Sequence, residues 1–118
     1  MNNRLLGNIG EDIANSHLIS NGYTIIQRNF RTKNGEIDII ARDGKYTAFI
    51  EVKARKSLAF GYPREAVTGF KQDRIKNMAN LYIAKKKLNN TSIRFDIVEV
   101  ILNNDDSPKS IVLIKNAF

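Results

Sequence analysis

The stretch Gly35–Arg55, GEIDIIARDGKYTAFIEVKAR, decides the fold because it encodes two β-strands and the turn that joins them. Asp43-Gly44 is a dipeptide that tolerates the positive φ angles of a two-residue hairpin loop. We therefore predict an antiparallel hairpin in which Arg42 lies opposite Lys45. This pair fixes the register of every residue further along both strands.

Alternation along the two strands brings charged side chains together. Successive side chains point to opposite faces, so Glu36 and Asp38 share a face with Glu51 and Lys53. The predicted register sets Asp38 across from Phe49 and Glu36 across from Glu51. Like charges that face each other destabilise a sheet, and half-buried carboxylates are costly without a neutralising partner. The opposite face of the hairpin is apolar and comprises Ile37, Ile39, Ile50 and Val52.

Two interpretations of these acids are open. In the first, Asp38 and Glu51 hold a divalent cation such as Mg²⁺ or Mn²⁺, and Lys53 orients a water or stabilises charge on a phosphate. In the second, the acids face solvent and form ion pairs with basic neighbours, so that they need no ligand. Those neighbours are Lys53, Arg55 and Arg31.

Short motifs along the chain carry a family resemblance. Asp38 followed by Glu51-Val52-Lys53 resembles the Asp…Glu-x-Lys core of the PD-(D/E)XK nuclease superfamily. The surrounding series resembles the bacterial YraN family of endonuclease-like proteins, which is similar to archaeal Holliday-junction resolvases. The match covers nearly the whole chain. Its motifs are, in order, Gly10-Glu11-Asp12-Ile13-Ala14, Arg28-Asn29-Phe30-Arg31, Gly35-Glu36-Ile37-Asp38, Glu51-Val52-Lys53-Ala54-Arg55, Glu65-Ala66-Val67, Arg94-Phe95-Asp96-Ile97-Val98 and Asn116-Ala117-Phe118.

The resemblance implies both a fold and a set of site residues. The fold is a restriction-endonuclease-like αβββαβ core of the α/β (α+β) class, with a mixed central sheet flanked by helices, in one domain that spans residues 1–118. Glu36 is expected to support the metal ligands by accepting a hydrogen bond from Lys53 or from a water at the metal. The residues implied in catalysis and metal binding are Asp38, Glu51, Lys53, Glu11 and the main-chain carbonyl of Val52.

Glu11 receives conflicting predictions. Residues from about Asn3 to Asn21 are predicted to form the first helix, and their apolar stripe comprises Leu5, Leu6, Ile9 and Ile13. At about 100° per residue, Glu11 lies away from that stripe, beside Ala14 and Leu18, so periodicity favours a solvent-exposed acid. The resemblance instead implies that Glu11 reaches the metal site, because junction resolvases place a first-helix glutamate there.

The remaining elements follow from periodicity and turn signals. Tyr23–Thr32 is predicted to be a strand that enters the central hairpin through the turn Lys33-Asn34-Gly35. Thr68 is the expected N-cap of a second helix, whose apolar stripe precedes a long strand over Ile93–Leu102. Ile111–Ile114 is predicted to be a final buried strand. The stripe consists of Ile75, Met78, Ala79, Tyr82 and Ile83.

The charge of the chain favours a polyanionic partner. There are 19 basic and 12 acidic residues, a net charge of +7 and a pI near 9.8, which favour nucleic acid through counterion release. A basic surface kept for solubility is the alternative. If Lys33 pairs with Glu36, Arg31 lies across from Asp38. Arg31 is then either a counter-ion of Asp38, which is the interpretation we favour, or a phosphate contact. The residues expected to contact backbone phosphates are Arg31, Arg55, Lys71 and Arg74.

Two further features are less decisive. Asp96 lies within an apolar run, and we expect it either to pair with Arg94 or to join a network near the first helix, without binding metal. Phe60 and Tyr62 lie in the loop after the hairpin, where they either stack on bases or, as we favour, anchor the loop to the core.

The sequence thus predicts a metal-dependent endonuclease that acts on branched or structured DNA in repair or recombination. The alternative is a non-catalytic nucleic-acid-binding module that uses a nuclease fold. The resemblance implies a homodimer, because junction resolvases cut two strands symmetrically. The chain contains no cysteine and no run of residues long and apolar enough to span a membrane, which favours a cytoplasmic protein.

Overall fold

The computed structural model describes residues 3–56, 68–88 and 91–118, with side chains from residue 5 onward. Within these ranges the chain forms two helices and five strands in an α+β arrangement. The first six elements follow the predicted αβββαβ order. In chain order the elements are α1 (Asn3–Ser20), β1 (Thr24–Thr32), β2 (Gly35–Asp43), β3 (Tyr46–Arg55), α2 (Gly69–Lys86), β4 (Ser92–Leu102) and β5 (Pro108–Ile114).

The five strands form one mixed sheet in the order β1-β2-β3-β4-β5. Strands β3 and β4 are parallel, whereas the other three neighbouring pairs are antiparallel. Parallel neighbours require a long crossover connection, and α2 lies within it. A mixed sheet flanked by helices, as predicted, is confirmed, and it is consistent with a restriction-endonuclease-like core.

The two helices cover different faces of the sheet, and each face has its own apolar core. The core beneath α1 consists of Ala14, Leu18, Tyr23, Ile39, Ala41, Ala48, Ile50, Val98, Val100 and Leu102. The core beneath α2 consists of Phe30, Ile37, Ile40, Phe49, Ile75, Met78, Ala79, Tyr82 and Phe95. Because both faces are buried, any acid in the middle of a central strand needs a partner or an opening to solvent.

The hairpin register differs by two residues from the predicted one. Arg42 pairs with Thr47 rather than with Lys45, and Asp43 pairs with Tyr46. Asp43 is kept in the ladder because its carboxylate accepts from Arg94 and Lys115, at 2.7 and 3.1 Å. Glycine at position 44 then provides the positive φ angle, 60°, at the start of the loop.

A shift of two residues leaves most side chains on their predicted faces, since the side-chain period of a strand is two. Ile39 and Ile50 share a face as expected, and this face lies beneath α1. Ile37 does not, because it packs in the core beneath α2. The β2–β3 ladder ends at the pair Ile39–Ile50, so the strict alternation of β2 is lost at Asp38.

The β1–β2 register also corrects the prediction for Arg31. Thr32 pairs with Gly35, and Arg31 therefore lies across from Glu36 rather than from Asp38. The turn between these strands is stabilised by the Asn34 backbone N–H, which donates to the Thr32 hydroxyl at 3.1 Å. Arg31 is thus placed to neutralise Glu36.

The C-terminal half of the chain agrees with the prediction, with one correction. Thr68 caps α2 by accepting from the backbone N–H of Lys71 at 3.3 Å, and the predicted apolar stripe packs on the sheet. The last strand is longer than predicted and is not buried. It forms the edge of the sheet, pairs with β4 and no other described strand, and leaves Val112 exposed.

Candidate metal centre and adjoining basic cleft

Asp38 lies where the central hairpin stops pairing. The residue after it, Ile39, is the last one of β2 in the ladder with β3. Released from regular pairing, the Asp38 carboxylate turns toward β3 and accepts a hydrogen bond from the backbone N–H of Val52, Oδ2 to N 2.8 Å. An acid is therefore held within the sheet at an irregular point of the central strand.

Glu11 reaches the same place from α1, as the resemblance implied and periodicity did not. The side of α1 that faces the sheet carries Ala14 and Leu18, both fully buried, and Glu11 is 8% exposed. Gly10 explains this orientation, because a Cβ atom at position 10 would collide with the Cβ of Ala54 on β3. The helix can approach the strand closely only at a residue that has no side chain.

Three carboxylates meet beside this contact, and we refer to Glu11, Glu36 and Asp38 as the acidic cluster. One oxygen from each lies within 4.8 Å of the others. Arg28 Nε donates to Glu11 at 3.2 Å, and Arg31 Nε donates to Glu36 at 2.8 Å. Among the described residues Asp38 has no ion-pair partner, and its charge is offset only by the more distant Lys71.

The electrostatic consequence appears at Asp38. Burial and, next in size, the neighbouring charge of Glu51 raise the pKa of Asp38 to about 7. The hydrogen bond from the Val52 N–H acts to lower this pKa but is outweighed. Glu11 and Glu36 add smaller contributions in the raising direction. An acid with such a pKa is one whose charge the surrounding protein does not stabilise.

A cleft of about 280 Å³ gives access to the acidic cluster on the α1 side. It is lined by all three acids and by Val52, whose main-chain carbonyl was the fourth expected ligand. Carboxylate oxygens and a backbone carbonyl form the ligand set that hard divalent cations prefer. The residues present therefore fit a Mg²⁺ or Mn²⁺ ion.

Glu51 and Lys53 lie on the opposite side of the sheet, beneath α2. Lys71 Nζ of α2 lies 2.9 Å from Glu51 Oε1, and Lys53 Nζ lies 3.4 Å from the same oxygen. Burial and the neighbouring Lys71 lower the pKa of Lys53. Burial also acts to lower the pKa of Lys71, but its bonds to Glu51 and Lys53 outweigh this effect and raise it.

A second opening, which we call the basic cleft, adjoins these residues and has a volume of about 550 Å³. Asp38 and Glu36 line both openings, so the acidic cluster lies between them. The other side chains that line the basic cleft include Glu51, Phe70, Lys71, Arg74, Ile75 and Met78.

The other predicted phosphate contacts have different surroundings. Arg74 Nε donates to the carbonyl of Asn34 at 3.1 Å, and Arg31 is mostly exposed despite its bond to Glu36. Arg55 is partly buried at the end of β3. Phe60 and Tyr62 lie outside the described residues. The catalytic and nucleic-acid-binding roles of all these residues remain predictions.

Asp96 has the structural role that the sequence left open. It is fully buried, and it accepts from Arg94 at 2.8 and 2.9 Å, from the Tyr23 hydroxyl at 2.8 Å and from the Asn116 N–H at 2.9 Å. Burial and the bond to Asp96 raise the pKa of Tyr23. Both sequence expectations hold, because Asp96 pairs with Arg94 and also joins Tyr23, which follows α1.

Sequence reasoning missed Phe70 and only part of the role of Lys71. Lys71 was predicted to contact a phosphate, but its ion pair with Glu51 was not predicted. Positions 71, 75, 78 and 82 have the spacing of a single helical stripe, and the last three are buried, so a lysine on this stripe is the signal for that contact. Phe70 lies off the stripe and is exposed, and an aromatic residue in such a position is the signal that could have identified it.

The mixed sheet, its flanking helices and the meeting of carboxylates at the central hairpin describe a protein of the restriction-endonuclease-like class. The chain belongs to the uncharacterised protein family UPF0102, whose family model matches residues 10–100. This family is the one that the sequence motifs resemble, so that prediction is confirmed.

Similarity to individual relatives extends over the full chain. A UPF0102 protein of Clostridium tetani is 51% identical over 116 residues, which is 98% of this chain and 95% of the relative. A UPF0102 protein of Caldicellulosiruptor saccharolyticus is 50% identical over 118 residues and covers both chains completely. One from Acetivibrio thermocellus is 49% identical over 121 residues, 99% of this chain and 93% of the relative. Among the described residues, neither helix is long and apolar enough to cross a membrane.

Proposed function

We propose that this protein is a metal-dependent endonuclease that hydrolyses phosphodiester bonds in branched or structured DNA. The observation that carries the proposal is the acidic cluster, in which three carboxylates meet within 4.8 Å and the central one has no ion-pair partner among the described residues. Native proteins do not usually bury repelling acids unless a ligand relieves the repulsion.

Mg²⁺ or Mn²⁺ is the proposed ligand of the acidic cluster. Asp38 would be its central ligand, with Glu11, Glu36 and the Val52 carbonyl around it. When bound, such an ion lowers the pKa of a coordinated water and offsets charge that develops on the phosphate. Glu51 is a further proposed ligand, because its charge already acts on Asp38.

Lys53 and Lys71 are proposed to bind the reacting phosphate from the α2 side. Glu51 now holds both ammonium groups, at 3.4 and 2.9 Å, close to the Asp38 side chain that lines the same cleft. A phosphate bound in the basic cleft would form an ion pair with Lys71 in place of Glu51. Glu51 would then be free to turn toward the acidic cluster. Lys53, whose pKa is lowered by burial, would hold or orient the proton of the attacking water.

The remaining basic residues support DNA as the substrate. The net charge of +7 attracts a polyanion, and Arg31, Arg55 and Arg74 are proposed to contact backbone phosphates on either side of the cut. Such contacts fix position without reading sequence. Branched substrates and a homodimer are proposed from the likeness to junction resolvases.

The test is cleavage of a synthetic four-way DNA junction in the presence of Mn²⁺. We expect the wild-type protein to cut it, and both Asp38→Asn and Lys53→Ala to lose at least about 100-fold in rate, since each removes a group that acts on the transition state. Arg42→Ala is the matched control, because Arg42 is an exposed cation of β2 outside both openings. It should cut at nearly the wild-type rate.

The result also separates the proposal from its alternative, a nucleic-acid-binding module without catalysis. Equal cleavage by wild type and Lys53→Ala would show that the activity comes from another site or from a contaminant. Tight junction binding without cleavage by the wild type, at any Mn²⁺ concentration, would support the alternative and contradict the proposed nuclease.

A further inference from the structure

Phe70 is the most exposed large apolar side chain among the described residues. It is 74% exposed, although it lies on the helix that covers one face of the sheet and beside the opening that leads to Asp38 and Glu51. Burying a phenylalanine side chain is worth roughly 1.5–3 kcal/mol, so its exposure forgoes that stabilisation. Neither the fold nor the acidic cluster requires an aromatic residue there.

The surroundings of Phe70 are ordered and cationic. The guanidinium of Arg74 lies over the ring, 5.8 Å from its centroid. Arg74 is in turn fixed by its bond to the Asn34 carbonyl, so the turn between β1 and β2 supports the pair. Lys71, the residue after Phe70, points to Glu51 within the basic cleft.

This arrangement provides an aromatic face, a guanidinium and an ammonium group along one wall of the basic cleft. Aromatic rings and arginine planes are the groups on which proteins stack unpaired bases, and nearby cations hold the phosphate that follows each base. Lys71 is paired with Glu51, but Arg74 binds only a backbone carbonyl among the described residues, so an apolar protein segment would leave the Arg74 guanidinium facing it without a counter-charge. The charge of this wall therefore favours nucleic acid over a protein partner.

We infer that Phe70 and Arg74 form a stacking site for one unpaired DNA base, with the adjoining phosphate directed along the basic cleft toward Lys71. This inference rests on the proposed function and narrows its substrate class. In a continuous duplex both faces of each base are covered by neighbouring bases. The substrate must therefore contain an unstacked or single-stranded nucleotide next to the cut, as at a junction, flap or strand end.

The sequence offers a direct reporter of this contact. The chain contains no tryptophan, so Phe70→Trp introduces a single indole that can still stack. Titration with a short oligothymidine in EDTA should quench its fluorescence in a saturable manner, whereas a blunt duplex of equal length should quench it weakly. Ile19→Trp is the matched control, because Ile19 is 55% exposed on α1 and does not line the basic cleft.

A second variant measures the energy of the contact. Phe70→Ala should weaken binding of single-stranded DNA about 10-fold, since stacking on an aromatic side chain is worth about 1–3 kcal/mol per base. It should leave the melting temperature almost unchanged, because the ring is exposed. Phe70→Tyr should restore the affinity.

Three outcomes would overturn the inference. They are equal quenching by duplex and single strand, unchanged single-strand affinity in Phe70→Ala, and conversion of a dimer to a monomer by Phe70→Ala in sedimentation, which would make the ring a subunit contact. All these measurements are made without a divalent cation. Failure of the junction-cleavage assay therefore does not affect them, and their failure does not affect that assay.

Discussion

Two groups of buried acids in this protein differ in how their charge is compensated. Around Asp96, an arginine, a tyrosine hydroxyl and a backbone N–H donate to one carboxylate that is 0% exposed. In the acidic cluster, three carboxylates share a small space, and within the described ranges the central one accepts a hydrogen bond from one backbone N–H. Within the described part of the chain, the charge of Asp96 is fully compensated by its partners, whereas the acidic cluster has an excess of negative charge.

Burial of an acid does not by itself indicate a functional site. Asp96 is more deeply buried than Asp38, yet every partner it needs comes from the chain, so it acts as a structural residue. What distinguishes Asp38 is the raised pKa that results from burial beside other acids. An uncompensated charge is a stronger indication of a missing ligand than depth of burial.

The largest expected change in the free energy of unfolding comes from removing Asp96 from its hydrogen-bonded group. Asp96→Ala leaves the Tyr23 hydroxyl and the Asn116 N–H without this acceptor and leaves the buried Arg94 guanidinium with Asp43 alone among the described acids, so we expect it to lower the free energy of unfolding by about 3–5 kcal/mol. The measurement is urea denaturation at pH 7 without metal. Asp12→Ala is the control, because Asp12 is an exposed acid paired with Arg28, and its loss should cost less than about 1 kcal/mol. Similar costs for the two variants would contradict the comparison.

Removing the charge of Asp38 from the acidic cluster should have the opposite effect and stabilise the protein. In the native wild type the pKa of Asp38 is about 7, whereas the ordinary pKa of an aspartate is 3.8. The stability that this proton provides is complete below about pH 4 and is lost as the pH rises through 7. Asp38→Asn removes the charge and keeps an acceptor for the Val52 N–H.

We therefore expect Asp38→Asn to raise the free energy of unfolding at pH 8 by about 2–4 kcal/mol and to have little effect at pH 4. Denaturation curves at the two pH values, in EDTA, provide the measurement. A destabilised variant at pH 8 would mean that the protein already compensates the Asp38 charge.

A smaller effect tests how Glu11 joins the acidic cluster. Gly10→Ala places a Cβ atom against Ala54, which should move α1 away from β3, lower the free energy of unfolding by about 1–2 kcal/mol and weaken Mn²⁺ binding. Gly7→Ala is the matched control, since no atom lies within 4 Å of its added Cβ. Helix propensity should make this control slightly more stable. If Gly10→Ala behaves like Gly7→Ala, the close contact does not position Glu11.

The sequence predicted the fold and the shared face of Ile39 and Ile50 well, because strand alternation survives a register error of two residues. It could not predict that pairing ends at Asp38, which sends Ile37 to the other core. Periodicity failed for Glu11 because it weighs apolar side chains, whereas the approach of α1 depends on Gly10 having none.

The full surroundings of Asp38 and Glu51 could not be predicted from the sequence either. The two acids were assigned one ion and both line the basic cleft, but the turn of Asp38 at the end of the ladder also brings it to Glu11 and Glu36. Glu51 also contacts Lys53 and Lys71. The contribution of Lys71 comes from α2, more than 15 residues further along the chain, and no local pattern of the hairpin reveals it.

The most direct test of the account is calorimetric titration of Mn²⁺ into the protein at pH 7, repeated in buffers with different ionisation enthalpies. Because the pKa of Asp38 is about 7, binding at the acidic cluster should release ~0.5 proton per ion. Asp38→Asn should bind at least about 10-fold more weakly and release none. Binding by this variant that equals the wild type in affinity and proton release, or no binding by the wild type, would contradict the claim that the acidic cluster is a metal centre.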